Sequence, residues 1–465
     1  MSSAFHGIET ALRGALAHQQ AISTVAHNVA NASTEGYSRQ DPVFQASNAY
    51  PAASFAGYPD GGPFGTGVEI GRVRRLHDTW LAGRMRSTES TYHFWETQRQ
   101  FTDRIEQIVS QSGGTGLNVL MDRFWNAWQQ LTQGENATDT GIRAVVVSEG
   151  RNLAAAINSM NRDLAQLTHD SRSMLEDAIT RVNALAKGLA DVNAQVRVTG
   201  GLGGTPNDLF DQRDRLLAEL SSLVDIDVYE GQHGSVTVTL GSRQLVEGTF
   251  AGVLQVAPDT PATVQWSDGA SASVTQGEVA ALLRVENEVI TGQQAQLDAL
   301  RAALVESVNS IHTNGFDLDG NPGLPFFQVS GSDHTLSVTP AMDDPRRVAA
   351  SGDGSAGNAE IALAIAGIRD KQSHLLGQVS IREHFSAWLS RAGSEAREMQ
   401  DMSSRTLARR NAIRLEQESV SGVNLDEEAA RLVQWQRAYA ASARVLTVLD
   451  EVLATVIERL GVIGR

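Results

Sequence analysis

Residues 424–460 read NLDEEAARLVQWQRAYAASARVLTVLDEVLATVIERL, with a large apolar side chain at every seventh position. That series is Leu425, Leu432, Tyr439, Leu446, Leu453 and Leu460. Trp435, Leu449 and Val456 each follow a member by three residues, which gives the three- and four-residue spacing of a coiled-coil helix. Asn424 is a favourable N-cap, and the acidic residues after it suit the first turn. We therefore predict one helix about 55 Å long.

The amino end carries a similar pattern. Residues 1–30 read MSSAFHGIETALRGALAHQQAISTVAHNVA, and their apolar seam is interrupted only by Gln19. The seam consists of Phe5, Ile8, Leu12, Ala15, Gln19, Ile22, Ala26 and Val29. Neither terminal seam has a partner nearby in the sequence. We therefore expect the two chain ends to pair as a coiled coil and to pack against neighbouring copies.

The two seams supply the candidate functional residues, because an apolar helical stripe is a surface for another helix. The predicted assembly interface comprises Ile8, Leu12, Ile22, Val29, Leu425, Leu432, Trp435, Tyr439, Leu446 and Leu453. These residues are expected to act by packing, without chemistry of their own.

Between the ends the pattern changes from helix to strand and back. Helical periodicity covers 92–110, 116–131, 141–198, 207–223 and 278–309. Residues 225–256 alternate with a period of two, which predicts antiparallel strands, and 335–338 forms one more short strand. We predict a mainly α fold with a β-rich insert. Its parts are a terminal coiled-coil domain (1–48 with 424–465), a helical-bundle, rod-like middle domain (49–222 with 278–423) and a small antiparallel β outer domain (223–277, extended by 324–350).

Composition and charge limit the class of function. The chain has 465 residues, enough for about three domains, and 41% of them are hydrophobic. Its 38 basic and 54 acidic residues give a net charge of −16, which disfavours nucleic-acid binding. The absence of cysteine excludes disulfides, zinc–thiolate sites and thiol nucleophiles. No stretch predicts a membrane helix and residues 1–14 show no secretory signal, so we expect no membrane contact and no cleaved signal peptide.

One segment resembles a calcium loop. Asp317, Asp319 and Asn321 place oxygen atoms at alternating positions. The sixth position is Pro322 where the tight turn needs glycine, and the twelfth is Gln328 where the ligand is Glu. We interpret the segment as a polar turn.

The other motifs that could carry chemistry are also weak. Ser332-Asp333-His334 has the residue types of a catalytic triad, but sequence neighbours cannot point at one another as a triad requires. The glycine-rich runs at 113–116 and 200–204 lack the ending of a phosphate-binding loop. An arginine stripe at helical spacing is interpreted as a solvated helix face; it consists of Arg405, Arg409, Arg410 and Arg414. We predict no catalytic, metal or cofactor site.

Four segments resemble the flagellar hook-associated protein 1 family. HNVANASTEGYSRQ at 27–40 and SGVNLDEE at 421–428 resemble motifs that occur in looser form across rod and hook proteins. His27 departs from the first motif, where the family has Asn. NDLFDQRD at 207–214 and VNSIHTNGFD at 308–317, followed by Phe326 and Phe327, resemble segments that are more specific to this family. The outer domain is expected to be reduced, because larger family members carry a bulkier β domain where residues 327–357 contain one short β segment.

The resemblance implies a structural protein of the bacterial flagellum without enzymatic activity. Family members form a ring of copies between hook and filament, are required for filament assembly, and leave the cell through the flagellar type III route. Implied partners are other copies of the chain, the hook protein, the second junction protein and an export chaperone. Alternatives are another axial component (the second junction protein or a hook subunit), an exported peptidoglycan hydrolase with axial-type ends, and an intracellular coiled-coil adaptor.

Overall fold

The computed structural model describes residues 2–48, 65–110, 116–202, 204–331 and 334–460. The side chains of Phe5 and Leu460, and both Ser332 and Asp333, lie outside that description. The chain forms two compact units. The terminal unit comprises Met1–Glu89, Val182–Val253 and Ala408–Arg465, and the central unit comprises Ser90–Arg181 and Leu254–Leu407. These ranges do not coincide with the three predicted domains.

Helices dominate the fold, as the sequence predicts. They are α1 (Ser2–Ala30), α2 (Thr79–Ser110), α3 (Leu117–Leu131), α4 (Thr140–Gly201), α5 (Asn207–Leu223), α6 (Gly277–Arg284), α7 (Thr291–His312), α8 (Glu360–Ala366), α9 (Ile381–Ser421) and α10 (Leu425–Leu460). A π-helical turn, Val285–Ile290, joins α6 to α7 inside the predicted helix 278–309. None of the helices in the described ranges is both long and apolar enough to cross a membrane.

Two helix starts show how side chains fix the boundaries. Asn424 caps α10 as predicted, because its Oδ1 accepts a hydrogen bond from the backbone N of Asp426 at 3.0 Å. Helix α2 begins before the predicted residue 92, because Asp78 Oδ1 accepts from the backbone N of Trp80 at 2.9 Å.

The strands are short and antiparallel. They are β1 (Gln40–Ala46), β2 (Val68–Arg75), β3 (Asp227–Glu230), β4 (Val236–Leu240), β5 (Arg243–Glu247), β6 (Phe250–Ala251), β7 (Leu254–Val256), β8 (Val264–Trp266), β9 (Phe327–Ser330), β10 (Thr335–Val338), β11 (Gln372–Ser373) and β12 (Val379–Ser380). The sheet β3-β4-β5-β6 belongs to the terminal unit and the β7–β8 hairpin to the central unit, so the predicted 223–277 domain is divided. The β1–β2 hairpin has no counterpart among the predicted strands, although Val68, Ile70 and Val73 give β2 part of a strand pattern.

Aromatic side chains form the core of the central unit. Trp128 of α3 packs on Phe326 with ring centroids 5.5 Å apart, and Phe124 packs on Phe327 at 5.6 Å. The edge of the Trp128 ring also meets His312 at the end of α7. The motif at 308–327 therefore has a packing role: it delivers a histidine and two phenylalanines to one buried cluster.

His312 joins three segments of the central unit. Its Nε2 accepts a hydrogen bond from the backbone N of Ala349 at 2.9 Å, and its Nδ1 donates to the carbonyl oxygen of Leu324 at 2.5 Å. The acceptor role of Nε2 requires a neutral ring. The chain approaches so closely that a Cβ on Gly323 would overlap the His312 carbonyl oxygen, so only glycine fits there.

Acid is expected to destabilise the central unit through His312. Burial lowers the pKa of His312 to about 4, below the value of about 6.5 in an unfolded chain. The folded chain then binds fewer protons than the unfolded chain. The stabilising effect is complete above pH 6.5 and is lost as the pH falls towards 4, by about 3 kcal/mol in total.

The measurement is the free energy of unfolding, followed by tryptophan fluorescence in denaturant at pH 7 and pH 4.5. His312→Gln keeps one donor and one acceptor but does not titrate in this range. The variant should lose less stability on acidification than the parent chain. Equal losses in the two proteins would contradict the assignment to His312.

Candidate assembly surface

Helices α1 and α10 lie side by side in the terminal unit and run antiparallel. A Cβ built on Gly7 would lie 3.1 Å from Leu449 Cδ1, and one built on Gly14 would lie 3.3 Å from Ser442 Oγ. Moving seven residues towards the C-terminus of α1, from Gly7 to Gly14, therefore corresponds to moving seven residues towards the N-terminus of α10, from Leu449 to Ser442. The glycines permit this close approach because they carry no side chain.

The buried side of α1 consists mainly of small residues. They include Ala11, Ala15, Ala17, Ala21 and Val25. Leu12 and Leu16 each lie two residues from Gly14, which turns them about 200° away from the side that meets α10. They are 47% and 56% exposed. We call Leu12 and Leu16 the α1 leucine pair.

The predicted seam of α1 is covered only in part. Ala15 is buried, Ile8 and Ile22 are half-buried, and Leu12 and Val29 are exposed. The contact with α10 lies on the adjoining face, where glycine and alanine recur. A search for large apolar side chains does not detect such a face, although Gly7, Gly14 and Ala21 do recur at intervals of seven.

On α10 the predicted series faces α1 in part. Its half-buried members are Leu432, Trp435, Leu446 and Leu453, and its exposed members are Leu425 and Tyr439. Trp435 is the largest of them and contacts two rings. The ring of His18 on α1 stacks on it at 5.8 Å, and Phe44 of β1 lies 4.8 Å away. The β1–β2 hairpin thus contacts both terminal helices at this point.

A second apolar strip on α10 is exposed. Val445, Val448 and Val452 follow one another at intervals of three and four residues and are 48% to 56% exposed. They directly precede Leu446, Leu449 and Leu453, so they lie about 100° round the helix from the side that faces α1. We call these three residues the valine strip. The three- and four-residue spacing of these valines can be read from the sequence. It adds nothing to the prediction of a helix there, because the leucine series already predicts one.

A buried polar cluster holds the base of the two terminal helices together. Asn28 is 1% exposed, and its Nδ2 donates to Glu428 Oε2 at 2.9 Å. Arg39 Nε donates to the other oxygen of Glu428 at 2.8 Å, and Arg39 Nη1 donates to Glu427 at 2.9 Å. The backbone N of Gln40 donates to Asn28 Oδ1 at 2.9 Å. We call Asn28, Arg39 and Glu428 the polar lock.

Side chains of the motif at 207–214, at the start of α5, contact the β1–β2 hairpin. Asn207 Nδ2 donates to the carbonyl oxygen of Val73 at 3.1 Å. Arg75 pairs with Asp211 at 3.2 Å and also contacts Asp214. Burial raises the pKa of Asp211 to about 6, and Arg75 opposes that shift. Three motifs that are far apart in the sequence thus meet at the base of the terminal helices.

The calcium-like loop forms the polar turn that the sequence predicts. Asp317 Oδ1 accepts hydrogen bonds from the backbone N of Asp319 at 2.9 Å and of Asn321 at 2.8 Å. Its Oδ2 accepts from Arg347 Nη1 at 2.8 Å. Both carboxylate oxygens are therefore occupied by the turn and its arginine. Among the described side chains, no group of three His, Asp or Glu is placed to hold a metal ion.

The arginine stripe lies on α9. Arg410 Nε is 2.6 Å from Glu89, and Arg414 Nε is 3.1 Å from Glu418. Arg405 and Arg409 are exposed. This pattern agrees with a solvated helix face that carries ion pairs.

Three protein families match this chain in order. Residues 8–37 match "Flagella basal body rod protein", and 417–459 match "Flagellar basal body rod FlgEFG protein C-terminal". Between them, 102–327 match "Flagellar hook-associated protein FlgK helical domain". The two rod-type matches cover the terminal helices, and the third covers most of the helical middle.

Comparison of the chain with whole proteins points to the same group of flagellar proteins. Flagellar hook-associated protein 1 of Bacillus subtilis is 28% identical over an alignment of 509 positions, gaps included, that covers 100% of each chain. Its namesake in Salmonella typhimurium is 27% identical over 74% of this chain, which spans 65% of that relative. A solved structure, the flagellar hook junction protein FlgK from Burkholderia pseudomallei, has a TM-score of 0.63 over 73% of this chain and 100% of its own. Its sequence identity is 16%, so that likeness concerns the fold alone.

Proposed function

We propose that the chain is a member of the flagellar hook-associated protein 1 family and a structural component of the junction between hook and filament. This family consists of structural flagellar proteins and is not known for enzymatic activity. In the proposed role, copies of the chain form a ring on the hook, and the filament grows on that ring. The observation that carries the proposal is the helical-domain match at 102–327, flanked by rod-type matches at both ends.

The same match supports this role over the other axial proteins that were considered. Rod-type ends are shared among axial proteins, so they favour no single member of that group. The helical-domain match favours a hook-associated protein of this family over a second junction protein or a hook subunit.

The assembly surface is proposed on the exposed faces of the terminal helices. The α1 leucine pair and the valine strip are different surfaces on different helices, and Val448 lies level with Ile8 in the antiparallel pair. A contact in which one copy offers its leucine pair and the next its valine strip would join two unlike surfaces. Contacts of that kind generate closed rings or helices, not isolated dimers.

The ten residues of the predicted interface divide between two roles in this proposal. Ile8, Leu12, Ile22, Val29, Leu425 and Tyr439 retain area that another copy can cover. Leu432, Trp435, Leu446 and Leu453 face α1 in part, so they are shared between folding and assembly. The valine strip extends the predicted set.

The proposed partners follow from the family. They are other copies of the chain, the hook protein, the second junction protein and an export chaperone. The C-terminal helix is the proposed chaperone site, because its apolar faces suit a helix-in-groove contact. The chain is a flagellar component, and we propose that it reaches the outside of the cell without a cleaved signal peptide.

The test of the proposed function is the location of the protein. Gold-labelled antibody against the chain should bind isolated flagella at one band, where hook meets filament. Flagella from a strain without the gene control for antibody specificity. Label along the whole filament, or on the rod alone, would contradict the junction role.

A further inference from the structure

The positions of α1 that meet α10 repeat every seven residues as small residues, so the α1 side of the contact does not by itself define one alignment. Gly7, Gly14 and Ala21 occupy successive seven-residue positions on α1, and Gly14 meets Ser442. Knobs-into-holes packing is specific when side chains of defined shape interlock. Glycine and alanine offer little shape to interlock with. A shift of α10 by seven residues would place Ser442 opposite Gly7 or Ala21 and keep a small residue at the contact.

At the base of the α1–α10 helix pair, the contact does not involve a small residue. Asn28 occupies the position seven residues after Ala21, and Glu428 lies opposite it at 2.9 Å. After a shift of seven residues, Glu428 would lie opposite Ala21 or beyond the end of α1. Asn28 and Arg39 would then remain buried without their carboxylate partner. Leaving a buried cation and a buried amide unpaired is strongly unfavourable.

We propose that the polar lock sets the register of the terminal helices, so that the two ends of the chain pair in one alignment only. In coiled coils, a single buried polar residue can perform this task at some cost in stability. The register also fixes the height of the valine strip relative to the α1 leucine pair. The inference concerns the folding of one chain and does not rest on the proposed function.

Engineered disulfides in the full-length chain can report the register, because the natural sequence contains no cysteine. Gly14→Cys with Ser442→Cys reports the observed alignment. A Cβ on Gly14 would lie 4.0 Å from that of Ser442, within the range of about 3.5–4.5 Å for a disulfide. Ala21→Cys or Gly7→Cys, each with Ser442→Cys, reports a shift of seven residues. Those pairs are about 10 Å apart along the helix in the observed alignment.

Glu428→Ala is the test substitution, and disulfide yield under mild oxidation is the readout. With Glu428 in place, the Gly14–Ser442 pair should form and the two shifted pairs should not. In Glu428→Ala, at least one shifted pair should form in at least fivefold greater yield than in the parent. Glu427→Ala is the matched control, because Glu427 also accepts from Arg39 but is exposed, whereas the carboxylate that accepts from Asn28 is that of Glu428.

Three results would overturn the proposal. The first is the unshifted pattern at full yield in Glu428→Ala. The second is loss of every disulfide in that variant with a fall in helix content, because the lock would then hold the helices together without aligning them. The third is a shift produced by Trp435→Leu and not by Glu428→Ala, because the large side chain would then set the register.

Discussion

Cells that lack the gene for this chain are expected to carry hooks without filaments and to release flagellin into the medium. The reason is that hook and filament meet only through the proposed ring, so exported flagellin has no surface on which to polymerise. The expected effect is a complete loss of swimming. Electron micrographs, together with the amount of flagellin in the culture fluid, measure it.

Re-expression of the full-length chain is the control for this experiment. It should restore filaments and remove flagellin from the medium. Filaments of normal length on hooks of the deletion strain would exclude the junction role. They would leave the register proposal untouched, because that proposal concerns the isolated chain.

Val448→Asp is expected to abolish incorporation at the junction while the monomer stays folded. Val448 is 56% exposed in the single chain, so a carboxylate there stays hydrated and should change the free energy of unfolding by less than about 0.5 kcal/mol. In the proposed contact the same carboxylate is buried without a partner, which costs several kcal/mol at every subunit interface. Filament counts in the complemented deletion strain measure the loss, and thermal unfolding of the purified chain measures the fold.

Thr447→Asp is the matched control. Thr447 is the neighbouring residue and is exposed, but it lies about 100° round the helix from Val448 and outside the valine strip. It should support filaments at the level of the parent chain. Normal swimming by Val448→Asp, or equal damage from Thr447→Asp, would remove the valine strip from the assembly surface. Leu446→Asp is less informative, because Leu446 also faces α1 in the monomer.

Local patterns in the sequence predicted the helices well. The leucine series and Asn424 predicted where α10 begins. Helical periodicity predicted a helix at 141–198, close to the observed Thr140–Gly201 of α4. The polar-turn interpretation of Asp317 also follows from local spacing, because the backbone donors it binds are two and four residues away. A sequence pattern can reveal such interactions, because the residues involved lie within a few positions of one another.

The contacts that build the candidate site could not be predicted in this way. Asn28 and Glu428 lie 400 residues apart, and nothing in the spacing of either segment indicates the other. The seam of α1 that meets α10 is made of glycine and alanine, which pack closely without appearing as an apolar stripe. The family resemblance rests on four segments: three of them meet at the base of the terminal helices, and the fourth, at 308–327, packs in the core of the central unit.

Electron cryo-microscopy of isolated hook–filament junctions tests the central claim most directly. The account predicts a closed ring of copies of this chain between hook and filament. In that ring the α1 leucine pair of each copy should lie against the valine strip of the next. A junction that lacks the chain, or a ring in which the terminal helices of neighbouring copies do not touch, would contradict the account.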